Sequence, residues 1–292
     1  MPLVDSARTV GRGVDMTRVG NRWRVTRPWP RQLRPYVHSY AGYWEATASP
    51  APYRVRLVPT GRAVFVVSLG EPFARLHRLG GAGPDSQVTG SLVVGLEDGS
   101  RVCDHPGGQE AIRLELTPLG AYRLFGMPMR ELTNRVVELR DVLGPAAGLL
   151  VEQLASTTDW AARFDLLDLA LTARLERGPL PAPEVSHAWR LLTRTGGSLP
   201  VGRLAAEVGW SQGYLVRRFT EQIGLTPKMS ARVLRFHRAV RLLTREGADL
   251  SEVTAVCGFY DQAHLNREFR ALAETTPGRL AAARVREGAV TL

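Results

Sequence analysis

The chain has 292 residues, 44% of them hydrophobic, which is enough for two packed cores, and it carries a formal net charge of +10 from 38 Lys+Arg against 28 Asp+Glu. Two cysteines far apart in sequence, Cys103 and Cys257, exclude a disulfide framework and a cysteine-built zinc site. With no signal-peptide core in the N-terminus "MPLVDSARTVGRGVDM", and no run near the ~20 apolar residues of a membrane span, the expectation is a cytoplasmic protein without a membrane partner.

Lys228 is the only lysine; every other cation is arginine. Arginine forks match phosphate geometry and point to an anionic partner. The arginine bias of a GC-rich genome gives the same composition, so composition alone leaves both readings open.

Residues 1–20 read as a mobile leader rich in Gly, Arg and small residues. From Trp23 to about Thr117 the punctuation is that of strands. "RVRLVPT", "AVFVVSL", "SLVVGL" and "AIRLELT" are short β-rich runs, separated by "GGAGPDS" and "DHPGGQ". Such strands predict a small barrel or sandwich. The pattern then turns helical in "PLGAYRLFG", "MRELTNRVVELRDVLG", "PAAGLLVEQLAS" and "TDWAARFDLLDLALTARLERG". In the last, Trp160, Phe164, Leu167 and Leu171 recur at helical spacing, Asp159 is placed to cap the start and Gly178 the end. The helices from Arg130 to Arg177 either form a dimer interface or cover the barrel. The proline-rich "GPLPAPE" marks a boundary. The division is then a leader at 1–20, an effector-binding or dimerisation domain at 21–178, a linker at 179–184 and a helical domain at 185–292.

In "LAAEVGWSQGYLVRRF" a short amphipathic helix turns Leu204, Ala205 and Val208 inward. Gly209 supplies the left-handed residue of a sharp turn and Ser211 an N-cap for a second helix. There Leu215 and Phe219 face the first helix, and Gln212, Gly213, Val216 and Arg217 point away. This is the pattern of a helix-turn-helix, whose second helix is the one presented to a DNA major groove. "VTAVCGFYDQAHLNREF" repeats it with one more residue in the turn. Gly258 stands where Gly209 stood, Asp261 caps, Leu265 and Phe269 face inward, and Gln262, Ala263, Asn266 and Arg267 outward.

Between the copies, "TPKMSARVLRFHRAVRLLTREG" reads as one linker helix, with Pro227 at its start and Gly247 at its end. Val233, Phe236, Val240 and Leu243 form its apolar stripe. Arg232, Arg235, Arg238, Arg241 and Arg245 line the rest, as phosphate contacts or as a solvated face. Its length, about 27 Å, suits two recognition helices about one DNA turn apart. Residues 185–292 hold 16 Lys+Arg and 9 Asp+Glu, so the basic excess concentrates where the repeat lies.

These two motifs, with their G-W/F, Phe and T-P elements in order, resemble the DNA-binding domain of the AraC/XylS family of bacterial transcription regulators over about residues 185–285. The resemblance implies a monomeric, bi-lobed domain reading adjacent major-groove segments. It places the base-reading residues at Gln212, Gly213, Val216 and Arg217, and at Gln262, Ala263, Asn266 and Arg267. Gly213 is too small to reach a base, and Val216 offers only apolar contact. Thr254 stands where Ala205 stands in the first copy, and Ala273 and Glu274 stand near a usual glycine. The front half resembles, more weakly, the N-terminal domain of a subset of these regulators, carried by "LRPYVHSYAGYWE", "RLVPTGRAVFVVSLGEP" and "LELTPLGAYRLFGMPMRELTNRVVELRDVLG".

The expected architecture is therefore an α+β two-domain chain: a β-rich, cupin-like barrel followed by helices, then an all-α domain with two helix-turn-helix motifs joined by a linker helix. The partners implied are promoter or operator duplex DNA, a small-molecule effector, RNA polymerase and a second copy of the chain. No catalytic residue, cofactor or metal is expected. His38, His77 and His105, near Cys103 and Asp104, lack the H-x-H spacing of a cupin metal site and read as structural or exposed. Trp23, Trp29, Tyr36, Tyr40, Tyr43 and Trp44 read as core or, alternatively, as the lining of an apolar effector pocket. The competing functions are a metal-dependent cupin oxygenase fused to a DNA-binding domain, a DNA-repair methyltransferase, and a regulator whose front half binds a protein. Two distant cysteines do not supply the zinc cluster that the repair reading needs.

Overall fold

The computed structural model describes residues 6–10, 14–19, 22–45, 48–70, 74–79, 86–88, 90–245 and 248–287. Its strands are β1 (Ser6–Val10), β2 (Val14–Val19), β3 (Arg22–Thr26), β4 (Val37–Glu45), β5 (Ala48–Leu57), β6 (Ala63–Ser68), β7 (Ala74–Arg78), β8 (Ser86–Val88), β9 (Leu92–Val94), β10 (Arg101–Gly107), β11 (Glu110–Leu116) and β12 (Val136–Glu138). Among the described residues they form two antiparallel sheets, β1-β2-β3-β4-β11-β6-β9-β12 and β5-β10-β7-β8. The four strand runs read from sequence fall on β5, β6, β9 and β11.

Alternation explains why β6 lies centrally. Ala63, Phe65 and Val67 are buried towards the main core, while Val64 and Val66 pack with Leu57, Leu76 and Cys103 of the second sheet. The leader expected over residues 1–20 instead contributes β1 and β2, and Val14 is 2% exposed. Isolated apolar residues such as Val14 and Met16 become a strand only through pairing with β3, which no local pattern shows.

The helices are α1 (Pro118–Phe125), α2 (Leu139–Leu143), α3 (Ala146–Ser156), α4 (Trp160–Arg177), α5 (Pro183–Arg194), α6 (Val201–Glu207), α7 (Gln212–Ile223), α8 (Pro227–Arg245), α9 (Leu250–Val256), α10 (Gln262–Ala273) and α11 (Pro277–Glu287). The helix expected over "MRELTNRVVELRDVLG" is corrected. That segment is a 3-10 turn at Met129–Glu131, strand β12 and the short α2. Asn134 breaks it in the left-handed region (φ 59°), and its Oδ1 accepts from the Asp98 amide. The β-branched pair Val136–Val137 then joins β9.

The aromatic segment packs against α4, as the core reading expected. Trp23 stacks on Trp44 at 5.5 Å, Trp44 on Trp160 at 6.0 Å, and Tyr40 on Phe164 at 5.1 Å. Asp159 caps α4 by accepting from the Ala162 amide. Gly178 ends α4 with φ −72°, not left-handed, and is needed there because a Cβ would lie 1.9 Å from the Arg123 carbonyl.

One apolar core runs from the eight-stranded sheet through α1 and α4 into α5, α6, α7 and the start of α8; a second lies among α8, α9, α10 and α11. The front half touches both parts of the helical region. Thr133 Oγ1 donates to the Gly224 carbonyl at 2.8 Å, while in the linker the Ala182 amide donates to the buried Gln222 at 2.9 Å. Arg56 donates to the Ala273 carbonyl, and Ser100 Oγ to the Leu272 carbonyl at 2.9 Å.

Candidate nucleic-acid interface

The two copies of the repeat fold alike, for reasons visible residue by residue. After α6, the Gly209 amide bonds the Ala206 carbonyl and the Trp210 amide the Ala205 carbonyl. After α9, Gly258 bonds Ala255 and Phe259 bonds Thr254 in the same way. Both glycines are left-handed, φ 70° and 71°. Ser211 then caps α7 by accepting from the Tyr214 amide at 3.3 Å, and Asp261 caps α10 by accepting from the His264 amide at 2.5 Å. Leu204, Leu215, Phe219, Leu265 and Phe269 are all fully buried. Thr254 tolerates its buried site because its hydroxyl donates to the Leu250 carbonyl.

The outward residues are exposed on both second helices: Gln212, Gly213 and Arg217 on α7, and Gln262, Ala263 and Arg267 on α10. Val216 and Asn266 are half-buried at the edges of those faces. The Arg217 guanidinium lies 5.0 Å from the Tyr214 ring, which braces it away from the core. Asn266 Nδ2 donates to the Gln262 carbonyl at 2.9 Å, and Gln262 Nε2 to Ser251 Oγ at 3.3 Å. The sequence reading passed over Tyr260, 93% exposed in the longer second turn. The extra residue in that turn was its only local signal.

Val233, Phe236, Val240 and Leu243 on α8 are buried as expected. Its arginines divide. Arg232 Nε and Nη2 bind the Glu268 carboxylate at 2.9 and 3.0 Å, and Arg235 donates to the Gly197 carbonyl. Arg238 and Arg241 are exposed. The side chain of Arg245, and Gly247, lie outside the described residues.

Among the described residues no group of three His, Cys, Asp or Glu is arranged to hold a metal. His77 Nε2 lies 3.3 Å from Asp104, whose carboxylate also takes Arg54 at 2.8 Å. His38 stands by Arg62, burial and that cation both lowering its pKa; the side chain of His105 lies outside the described residues. Burial pushes the Cys103 thiol up to about 11, away from a reactive thiolate. Also among the described residues, no helix is long and apolar enough to cross a membrane.

Residues 204–283 match a family profile described as a helix-turn-helix domain, and they span both capped turns. The chain carries an AraC-type DNA-binding domain at its C-terminus. Residues 26–138, in front of this domain, match a second profile, a domain of unknown function (DUF6597). An uncharacterized HTH-type transcriptional regulator from Bacillus subtilis, YbfI, is 31% identical over 88 residues, 30% of this chain and 32% of that protein; the chain thus matches about a third of its curated relative's length. An AraC-type DNA-binding protein from Chromobacterium violaceum is 27% identical and covers 36% of this chain and 94% of its own (TM-score 0.33). A ToxT structure from Vibrio cholerae covers 84% of this chain and 96% of its own at 11% identity (TM-score 0.47).

Proposed function

We propose that the chain is a sequence-specific transcription regulator in which α7 and α10 enter adjacent major-groove segments of one operator. The supporting observation is the duplicated capped turn. Each copy fixes a helix whose inner face is fully buried and whose outer face carries exposed hydrogen-bonding side chains and an arginine. Arg217, aided by an apolar contact from Val216, reads the first segment. Gln262, Asn266 and Arg267 read the second, with Gln212, Gly213 and Ala263 flanking.

Residues 21–178 act as the control domain, 179–184 as its tether and 185–292 as the reading domain. The control domain grips both lobes, through Thr133 at one and Arg56 and Ser100 at the other, and the tether adds the Ala182 amide bonded to Gln222 of the first lobe. An effector that shifts the control domain therefore shifts the placement of α7 relative to α10.

The test is selection of duplexes from a random library by the full chain. The reading requires a recovered site with two preferred blocks about one helical turn apart. Binding with no preference over random duplex would refute it.

A further inference from the structure

A cleft of about 500 Å³ opens between the two lobes, lined by Gly197–Val201, Lys228, Ala231, Arg232, Arg235, His264 and Glu268. We propose that this cleft binds a DNA backbone phosphate, the one that faces the protein between the two major-groove segments, with Lys228 as its principal ligand. The inference rests on the proposed DNA reading and adds a contact, made by Lys228 of α8, beyond the outward faces of the two recognition helices.

Placement is the first argument. Pro200 and Val201 begin α6, and a Cβ on the adjacent Gly202 would lie 3.8 Å from Gln212 Oε1, at the start of α7. On the other wall His264 sits in the first turn of α10, where its amide is capped by Asp261. The cleft thus lies between the N-terminal ends of both recognition helices. Two helices in adjacent major-groove segments of one face leave the intervening minor groove and its phosphates opposite that gap.

Charge is the second. Arg232 is neutralised by Glu268. Arg235 has no ion pair among the described residues: it holds the Gly197 carbonyl, and its Nε is buried without a partner. Burial lowers its pKa, Glu268 offsets only part of that and Arg232 works the other way, so an anion in the cleft would relieve it. Lys228 is exposed and has no ion pair among the described residues. His264 Nδ1 accepts from the Tyr260 amide at 3.3 Å and its Nε2 faces Glu268 Oε1 at 4.0 Å, so the cation left for a phosphate is Lys228, with Arg235 behind it. A lysine is a compact point charge that follows a phosphate without needing a forked partner. In a chain whose other cations are all arginines, its place here is distinctive.

The lone lysine also makes the test direct, because an amine-selective acetylating reagent marks Lys228 as the single side chain of its kind. The full chain is acetylated free, with a saturating duplex recovered by selection, and with inorganic phosphate alone, and Lys228 is read by mass spectrometry. The expected result is severalfold protection by the duplex and little by inorganic phosphate. Lys228→Gln should weaken all duplexes alike and lower the salt slope by about one unit. An unprotected Lys228 in a saturated complex, or an unchanged slope in Lys228→Gln, would overturn the inference while leaving the DNA reading intact. Protection by inorganic phosphate but not by duplex would assign the cleft to a free phosphate instead. A chain that binds no duplex would remove the DNA reading and this inference together.

Discussion

Arg232 on the linker helix holds Glu268 on the second recognition helix through two nitrogen–oxygen contacts of 2.9 and 3.0 Å. The pair ties the inner side of α10 to α8, the helix joining the lobes, so it fixes the angle between them. Glu268 is 9% exposed and Arg232 more open.

Removing the carboxylate leaves Arg232 beside Arg235 with no counter-charge between them. Glu268→Gln should therefore cost about 1–3 kcal/mol, less than a fully buried pair because Arg232 meets solvent. A urea-denaturation double-mutant cycle with Arg232→Gln checks it; additive effects would mean that the pair carries no coupling.

Gly209 has nothing within 4 Å of its would-be Cβ, so its requirement is conformational alone. At φ 70°, valine should cost about 1–3 kcal/mol and asparagine much less. Comparing the thermal midpoints of Gly209→Val and Gly209→Asn tests this. Equal losses would point to lost packing instead of backbone strain.

Glu274 ends α10 in the left-handed region (φ 48°), where the corresponding turn after α7 has Gly224. Glu274→Gly should raise stability by about 0.5–1 kcal/mol, strain relief being partly offset by the entropy of the freer unfolded chain. A lowered urea midpoint would contradict this.

His237 on α8 is buried at the junction with the front sheet, facing Arg62, Glu115 and His38 from the sheet side and Arg241 from its own helix. Burial, then the two arginines, push its pKa from 6.5 down to about 4. The folded chain excludes a proton that the unfolded chain binds below pH 6.5. This contribution is intact above that pH and is lost as pH falls towards 4, amounting to about 2 kcal/mol by pH 5. His237→Gln should flatten the acid limb by that amount in urea titrations at pH 7 and 5. A constant difference between variant and parent across that range would show that His237 does not titrate as its burial requires.

What the sequence revealed was what neighbouring residues decide. Gly209, Ser211, Gly258 and Asp261 shape their turns through hydrogen bonds to residues within five positions, so the repeat was readable at once. β12 was not, because Val136 and Val137 become a strand only by pairing with Val94 and Val93. Gly178 was legible as the end of α4, but the contact that demands a glycine there was not, because the Arg123 carbonyl lies 55 positions back. The inter-lobe cleft draws on residues 197–201, 228–235 and 264–268, which no periodicity brings together.

The central claim is that α7 and α10 each read bases, and Arg217 and Arg267 test it most directly. Both are exposed, at matching positions two residues before Phe219 and Phe269. Duplex selection is run on the parent, Arg217→Ala and Arg267→Ala. The account predicts that each variant loses about 1–3 kcal/mol of discrimination at one base pair, guanine being the base lost. It also predicts that the two positions lie in different blocks, about one helical turn apart. Unchanged sequence preference in both variants, with only a uniform loss of affinity, would contradict it.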